Sequence, residues 1–586
     1  MKQWTARVAL AVASVVNFFF PNGGGLVEVL WLALEFIGIS NRPGGPRYTE
    51  KRTAAADCAV GSEKYPFLLW SATELAAAIR EQRVTSARVT EACIDMIQRT
   101  HGLLNAVVAD RFEEARREAS AADQKVVKAT AEGKLAALPP FLGVPLVSKG
   151  AFEHPGLLYT NFQVGRATVK GAKHCVVGQR AVNAGFIVLG VGNGSEACMW
   201  FESYNRVFGR TSSPYDSRRT SGGSSGGTAA SVSALGAPLG LTADVGGSTR
   251  IPCYFCGLFG HKPTGGALPN TGTHCDAATR AVCTICQPGV CVRYARDLWP
   301  AIELLAGKPS AEEDPSNHSL YGDLKRLSKP LGKVTVYTLR PEWGRKNMSQ
   351  VFAPLPGRST VPGIGMLARW LLTRYGDELL EPQRKAEDAL RRAGHHIQEI
   401  SYGDIDADLW WEFWSSRMHE NNKVAFHEQI TENLPKLGPM ELFRWMAGRS
   451  NHTFPALVLA AAEFALDLTP KRNASIVKLV EVEFRDKLKG IFNGGSAVVL
   501  MPTLPFVPPI HDKALVHGIF PRLVDVSFTM VWNVTEMAST HIPLGLGSDG
   551  IPRGVQIACD IDEVPIALAV QLEEAKVARW EPPKPA

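Results

Sequence analysis

No apolar run in this 586-residue chain reaches the roughly 20 residues that a clean membrane span requires. With 45% hydrophobic residues, 20% charged residues and a mean hydropathy near zero, that shortage excludes a polytopic membrane protein. The chain is instead long enough to bury one sizeable enzyme core. Dense basic runs are missing too. Lys and Arg number 63 against 57 Asp and Glu, a net charge of +6, and no cluster is strong enough to propose a nucleic-acid partner. No internal repeat is present. The 11 cysteines, an odd number, argue against a complete disulfide framework. Two CxxC pairs, Cys253-Tyr-Phe-Cys256 and Cys283-Thr-Ile-Cys286, lie slightly further apart than a common zinc-site spacing. Their inner residues are bulky and apolar. Buried free thiols fit them better than a metal.

What the chain does have is an uninterrupted small-residue stretch from Ser221 to Gly265. It sets Ser224 inside Gly222-Gly-Ser-Ser-Gly-Gly227 and Ser248 inside Asp244-Val-Gly-Gly-Ser-Thr-Arg250. Glycine lets backbone N–H groups approach a ligand closely. A serine among glycines can therefore sit beside several amides aimed at one small space, as an oxyanion hole requires. Upstream, Lys149 ends the apolar run Phe141–Val147, a placement that favours burial. Two serines and a desolvated lysine can relay a proton without any histidine. Gly/Ser runs are as a rule linkers. Here the run passes into the helix-compatible segment Thr228–Leu235 and then into apolar Pro238–Leu241, which a linker does not do.

Lys149, Ser224 and Ser248 in these settings resemble the Ser-cisSer-Lys triad of the amidase signature family. Phe141-Leu-Gly-Val-Pro145, Asn193-Gly-Ser-Glu196, Asn205, Phe208-Gly-Arg210, Pro214-Tyr-Asp216 and Gly257–Thr264 extend the resemblance, which covers roughly residues 65–575. Cys198–Glu202, Phe112-Glu-Glu114 and Ala122–Lys125 are most similar to its membrane-bound, fatty-amide-hydrolysing branch. The pattern departs at Gly150, where an acidic residue is common, and at Thr228, where the fatty-amide branch tends to have Glu.

The resemblance implies a single large α/β unit, a mixed twisted sheet surrounded by many helices, with an N-terminal hydrophobic anchor. It implies that Lys149 takes a proton from Ser224, which takes one from Ser248. Ser248 Oγ attacks the amide carbonyl, and the backbone N–H groups of Val245, Gly246, Gly247 and Ser248 hold the oxyanion. The relay then protonates the leaving amine, and water hydrolyses the acyl-enzyme. No metal or organic cofactor enters. Asp244 and Arg250 read as an ion pair or backbone anchor shaping the loop. Cys198 aligns with a substrate-contacting position, and a small core residue is an equally good reading.

The N-terminus carries two apolar segments, Val8–Phe20 and Leu26–Ile39, separated by Pro21-Asn-Gly-Gly-Gly25. A cleaved signal peptide, a signal anchor and a hairpin lying in one leaflet all fit. The resemblance favours a retained anchor. Basic residues on both sides give no orientation. The division expected is residues 1–41 as anchor, 42–65 as linker and 66–586 as amidase domain. Asn-x-Ser/Thr sequons at Asn193, Asn317, Asn347, Asn451, Asn473 and Asn533 do not establish luminal exposure, because Asn193 falls beside the expected active site.

Ser71-Ala-Thr-Glu74 is a capping box ahead of a helix over Leu75–Ile79, and an amphipathic helix is expected over Arg88–Gln98. Phe141–Val147, Phe186–Gly190, Val334–Tyr337 and Ala497–Met501 read as buried strands, with helices over Glu381–Arg392 and Ile476–Lys489. Within residues 405–468, Leu409-Trp-Trp-Glu-Phe-Trp414, Met440–Met446 and Ala456–Leu466 are aromatic, methionine-rich or apolar. The resemblance implies a membrane-touching cap there, whereas aromatic stripes at helical spacing are as a rule core. The expectation is a serine hydrolase of long-chain fatty-acid amides, with membrane lipid as its other partner, at the endoplasmic reticulum or a lipid-droplet surface. A homodimer stays open. The alternatives are an amidase for small polar amides, secreted if the N-terminus is cleaved, and a catalytically silent membrane-tethered scaffold.

Overall fold

The short apolar runs become strands of one large sheet, shifted by a residue or more at their ends. The computed structural model describes residues 50–274, 280–314, 318–340, 376–401, 403–421, 425–438, 440–446, 448–467, 470–511 and 523–585. The 11 strands are β1 (Val107–Asp110), β2 (Pro145–Lys149), β3 (Ile187–Gly192), β4 (Leu239–Asp244), β5 (Phe259–Lys262), β6 (Gln287–Val292), β7 (Thr335–Thr338), β8 (His396–Glu399), β9 (Ala497–Pro502), β10 (Ala538–Leu546) and β11 (Pro552–Cys559). Their order across the sheet is β1-β3-β2-β4-β6-β5-β10-β11-β9-β7-β8. Strands β3-β2-β4 at one end and β9-β7-β8 at the other pair in parallel. All the remaining pairings are antiparallel, so the sheet is mixed as the sequence suggests.

β2, β3 and β4 are buried along their whole length, which explains why they read as continuous apolar runs rather than alternating ones. Helices cover the sheet. Those used below are α1 (Ala55–Lys64), α2 (Ala72–Arg80), α3 (Ser86–Leu104), α4 (Gly226–Ser233), α5 (Arg250–Phe255), α6 (Trp410–Asn421) and α7 (Leu523–Val534). The Ser71/Glu74 capping box forms: Glu74 N–H donates to Ser71 Oγ at 3.0 Å, and Ser71 N–H donates to the Glu74 carboxylate at 2.7 Å. The helix expected over 88–98 runs longer, because Thr85 caps its start and left-handed Asn105 ends it. Helix α4 sits tightly on β3. A Cβ on Gly192 would lie 2.4 Å from Thr228 N, so a side chain there would lift the helix that follows Ser224.

The expected anchor over 1–41 lies outside the described residues, as do residues 42–49 of the expected linker. Residues 55–64 of that linker are not extended. They form α1, which buries Ala55, Cys58 and Gly61. A Cβ on Gly61 would reach within 2.2 Å of Met96 Sδ in α3. That close packing is invisible in a polar-looking stretch. Among the described residues no helix is long and apolar enough to cross a membrane.

Much of the aromatic segment at 409–414 is core. Trp410, Phe413 and Trp414 are buried with Phe484, Phe528 and Trp532, while Leu409 is exposed. Cys253, Cys256, Cys283 and Cys286 are all buried, and no group of three or more metal-ligating side chains occurs among the described residues. Two sequons cannot accept a glycan in the folded chain, since Asn193 and Asn533 are fully buried and hydrogen-bonded.

Candidate active site

The three residues singled out by the sequence come from adjacent places on the sheet. Lys149 ends β2, Ser224 precedes α4, and Ser248 lies in the loop between β4 and α5. Lys149 is 1% exposed, and its Nζ donates to Ser224 Oγ at 2.7 Å and to the Ala243 carbonyl at 3.3 Å. Ser224 is fully buried and follows a cis peptide bond from Gly223. Its loop is held by Ser203, whose Oγ donates to the Gly222 carbonyl and accepts from Gly226 N–H. Gly222 has φ +83°, a conformation that disfavours any side chain, and a Cβ there would meet Pro252 at 2.8 Å.

Ser248 is 7% exposed, and its hydroxyl has no hydrogen bond to Ser224 in this arrangement. The Lys149–Ser224 leg of the expected relay is thus in contact, and the Ser224–Ser248 leg is open.

The loop carrying Ser248 is built around a buried ion pair. Asp244 and Arg250 are both fully buried and meet at 3.0 Å. Besides Arg250, the Asp244 carboxylate accepts from Gly247 N–H at 2.7 Å, Thr249 N–H at 3.1 Å and Asn533 Nδ2 at 3.0 Å. Burial pushes this carboxyl up, but Arg250 outweighs it, with Lys262 and Asn533 adding to the effect. Asp244 is held well below the usual carboxylate range. The nearby Lys262 ammonium is pulled down to about 7, chiefly by burial and then by Arg250. The reading of Asp244 and Arg250 as loop anchors is therefore correct.

One of the four amides expected at the oxyanion is engaged within the loop itself. Gly247 N–H is committed to Asp244, so it points into the ion pair rather than outward. The N–H groups of Val245, Gly246 and Ser248 have no acceptor among the described residues. Three carbonyls of the same stretch are taken up by side chains. Asn533 Nδ2 donates to Asp244 O at 2.9 Å, the Trp414 indole donates to Val245 O at 2.8 Å, and Thr529 Oγ1 donates to Gly246 O at 2.6 Å. Sequence reasoning missed Trp414, Thr529 and Asn533, because they come from α6 and α7, far along the chain.

Cys198 lies beyond the Ser224 loop. Its Sγ donates to Asn161 Oδ1 at 3.2 Å, and it packs with Ala151 and Phe162. Phe162 also reaches the site. A Cβ on Gly194 would sit 2.4 Å from both Phe162 Cε2 and the Ser224 carbonyl. The departure at Gly150 has the same cause, since a Cβ there would lie 2.8 Å from Phe162 Cε1. At the other departure, Thr228 Oγ1 is buried without a hydrogen-bond partner.

A family model described as Amidase matches residues 88–561. The chain belongs to the amidase signature family. As a member of that family it is an amide-hydrolysing enzyme. It is 33% identical over 530 residues to fatty-acid amide hydrolase 2-A of Danio rerio, covering 89% of this chain and 91% of the relative. It is 30% identical over 584 residues to fatty-acid amide hydrolase 2 of Homo sapiens, covering 97% of each. Among solved amidase structures, a fatty acid amide hydrolase superposes with a TM-score of 0.66 at 18% identity, covering 90% of each chain. A 6-aminohexanoate cyclic dimer hydrolase complexed with substrate gives 0.64 at 22%, covering 87% of this chain and 97% of that one. At such identities these likenesses establish the shared fold.

Proposed function

We propose that this amidase is a membrane-anchored serine hydrolase of long-chain fatty-acid amides, with Lys149, Ser224 and Ser248 as its catalytic residues. The observation that carries the chemistry is the buried 2.7 Å contact between Lys149 Nζ and Ser224 Oγ, one loop away from the slightly exposed Ser248. Similarity over nearly the whole chain to fatty-acid amide hydrolases 2 of two vertebrates supports the substrate class.

Ser248 Oγ attacks the amide carbonyl while its proton passes to Ser224 Oγ and the Ser224 proton passes to Lys149 Nζ. Substrate binding draws the two serines together, as catalytic hydrogen bonds often tighten only in the complex. Negative charge on the carbonyl oxygen is received by the free N–H groups of Val245, Gly246 and Ser248, each worth about 3 kcal/mol in the transition state. The relay then runs backwards and protonates the leaving nitrogen. Water releases the fatty acid from the Ser248 ester, so the products are a free acid and ammonia or an amine.

Residues 1–41 serve as a retained anchor in an internal membrane, and the chain from α1 onward forms the catalytic unit. Apolar substrates partition into lipid, so an anchored enzyme meets them at high local concentration.

Product release from oleamide, an N-acylethanolamine and acetamide, measured in parallel on detergent-solubilised protein, tests the substrate reading. Hydrolysis of the long-chain amides is expected. Activity confined to acetamide overturns it in favour of an amidase for small polar amides. A folded protein that cleaves none of them overturns the substrate reading and moves the scaffold alternative to the front.

A further inference from the structure

The loop that carries Ser248 is aimed by side chains from two distant helices. In a trans peptide the carbonyl and the following N–H point in opposite directions. A donor that captures one loop carbonyl therefore fixes where the next amide points. The Trp414 indole holds the Val245 carbonyl at 2.8 Å, and the peptide it captures carries the Gly246 N–H. Thr529 Oγ1 holds the Gly246 carbonyl at 2.6 Å, and that peptide carries the Gly247 N–H, which reaches Asp244 at 2.7 Å.

Neither contact is loose. Trp414 is buried, and a Cβ on Gly246 would lie 3.2 Å from its Nε1. Gly247 has φ +123°, and a Cβ there would lie 2.3 Å from Thr529 Oγ1. The two helices are locked to each other, with Trp410 of α6 packing on Phe528 and Trp532 of α7 at ring-centroid distances of 5.7 Å and 6.4 Å.

We propose that Trp414 and Thr529 are positioning residues for the oxyanion amides: Trp414 turns the Gly246 N–H toward the reacting carbonyl, and Thr529 turns the Gly247 N–H away into the ion pair. The inference rests on Ser248 being the nucleophile. It makes the α6–α7 pair, rather than the glycine loop alone, the source of amide direction. Oxyanion donors act through being already aimed when charge develops, so freeing these carbonyls costs transition-state binding without touching substrate binding.

The test uses the full-length protein with Trp414→Phe, Thr529→Val and Thr529→Ser, assayed on both oleamide and acetamide. Thr529→Val keeps the bulk and deletes one donor, while Trp414→Phe deletes the indole N–H together with part of the ring volume, so its melting temperature is measured alongside. The expected result is a kcat about 10-fold lower in each, less than the 100-fold or more for losing a donor outright, with KM nearly unchanged. Thr529→Ser restores the hydroxyl and is expected near the parent rate.

A trifluoromethyl ketone, which forms a tetrahedral adduct on a serine hydrolase nucleophile, should bind more weakly in step with kcat. The matching methyl ketone should not. An unchanged kcat, a loss confined to KM, equal damage from Thr529→Ser and Thr529→Val, or equal weakening of both ketones overturns the proposal. Should the enzyme cleave only acetamide, the fatty-amide reading fails, while the positioning of the loop is still decided on acetamide.

Discussion

Asp244→Asn puts the ion pair under the Ser248 loop to a quantitative test. The substitution keeps the shape and one carbonyl oxygen but removes the charge opposite Arg250, a guanidinium with no solvent exposure. Breaking a buried pair from one side costs about 3–5 kcal/mol, because the other charge stays buried without a counter-ion. Three backbone N–H groups and the Asn533 side chain also depend on this carboxylate, so the higher end of that range is expected. Arg250→Met, which strands Asp244 instead, should cost a similar amount.

The double variant removes both charges together. It should cost less than the sum of the singles by about 2–3 kcal/mol, within the coupling seen for contacting residues. Urea unfolding followed by tryptophan fluorescence reads this directly. With an m-value of roughly 5 kcal/mol/M, scaled up from small domains, each single variant should lower the midpoint by about 0.6–1 M. Additive costs, or an unmoved midpoint in Asp244→Asn, would refute the claim that this pair holds the loop.

Ser224→Ala and Lys149→Met should each lower kcat by about 1,000-fold or more, and the double variant should be little worse, because relay members act as a unit; additive losses in steady-state kinetics would argue against a relay. Gly150→Asp, which introduces the acidic residue common elsewhere in the family, should destabilise by about 1–3 kcal/mol through its clash with buried Phe162. A melting scan that shows no loss, or no recovery when Phe162→Leu is added, would contradict that packing account. Stability should also fall with acid. Burial lowers His154 and His541 to about 3 and His274 to about 4, so the folded state refuses protons that unfolded histidines accept below about 6.5. This contribution is complete above pH 6.5 and declines toward pH 4, by up to about 1.4 kcal/mol per pH unit for each histidine. A melting temperature that stays level or rises from pH 7 to pH 5 would refute it.

The sequence exposed the site better than it exposed the supports of the site. Lys149, Ser224 and Ser248 lie in glycine-rich or apolar surroundings whose local chemistry is distinctive, and the buried strands beneath them show as apolar runs. Strand ends shifted, as with Phe141–Val147 against Pro145–Lys149, because pairing with β3 and β4 sets them rather than the run itself. The sheet order depends on contacts between distant segments, such as β5 with β10, which no local pattern encodes. The same holds for Trp414, Thr529 and Asn533. Each looks like an ordinary core residue until the fold brings it against the Ser248 loop. The bond from Gly247 N–H to Asp244 is hidden for a related reason, since four consecutive amides look equivalent in sequence and only the Asp244 carboxylate distinguishes one of them.

The most direct test of the account is to find which residue takes the acyl group. The protein would be treated with a long-chain alkyl fluorophosphonate, digested and mapped by mass spectrometry, with Ser248→Ala treated alongside. The account predicts a single adduct on Ser248 that appears as amide hydrolysis disappears, and none in the variant. An adduct on Ser224, or full inactivation with Ser248 unmodified, would contradict it.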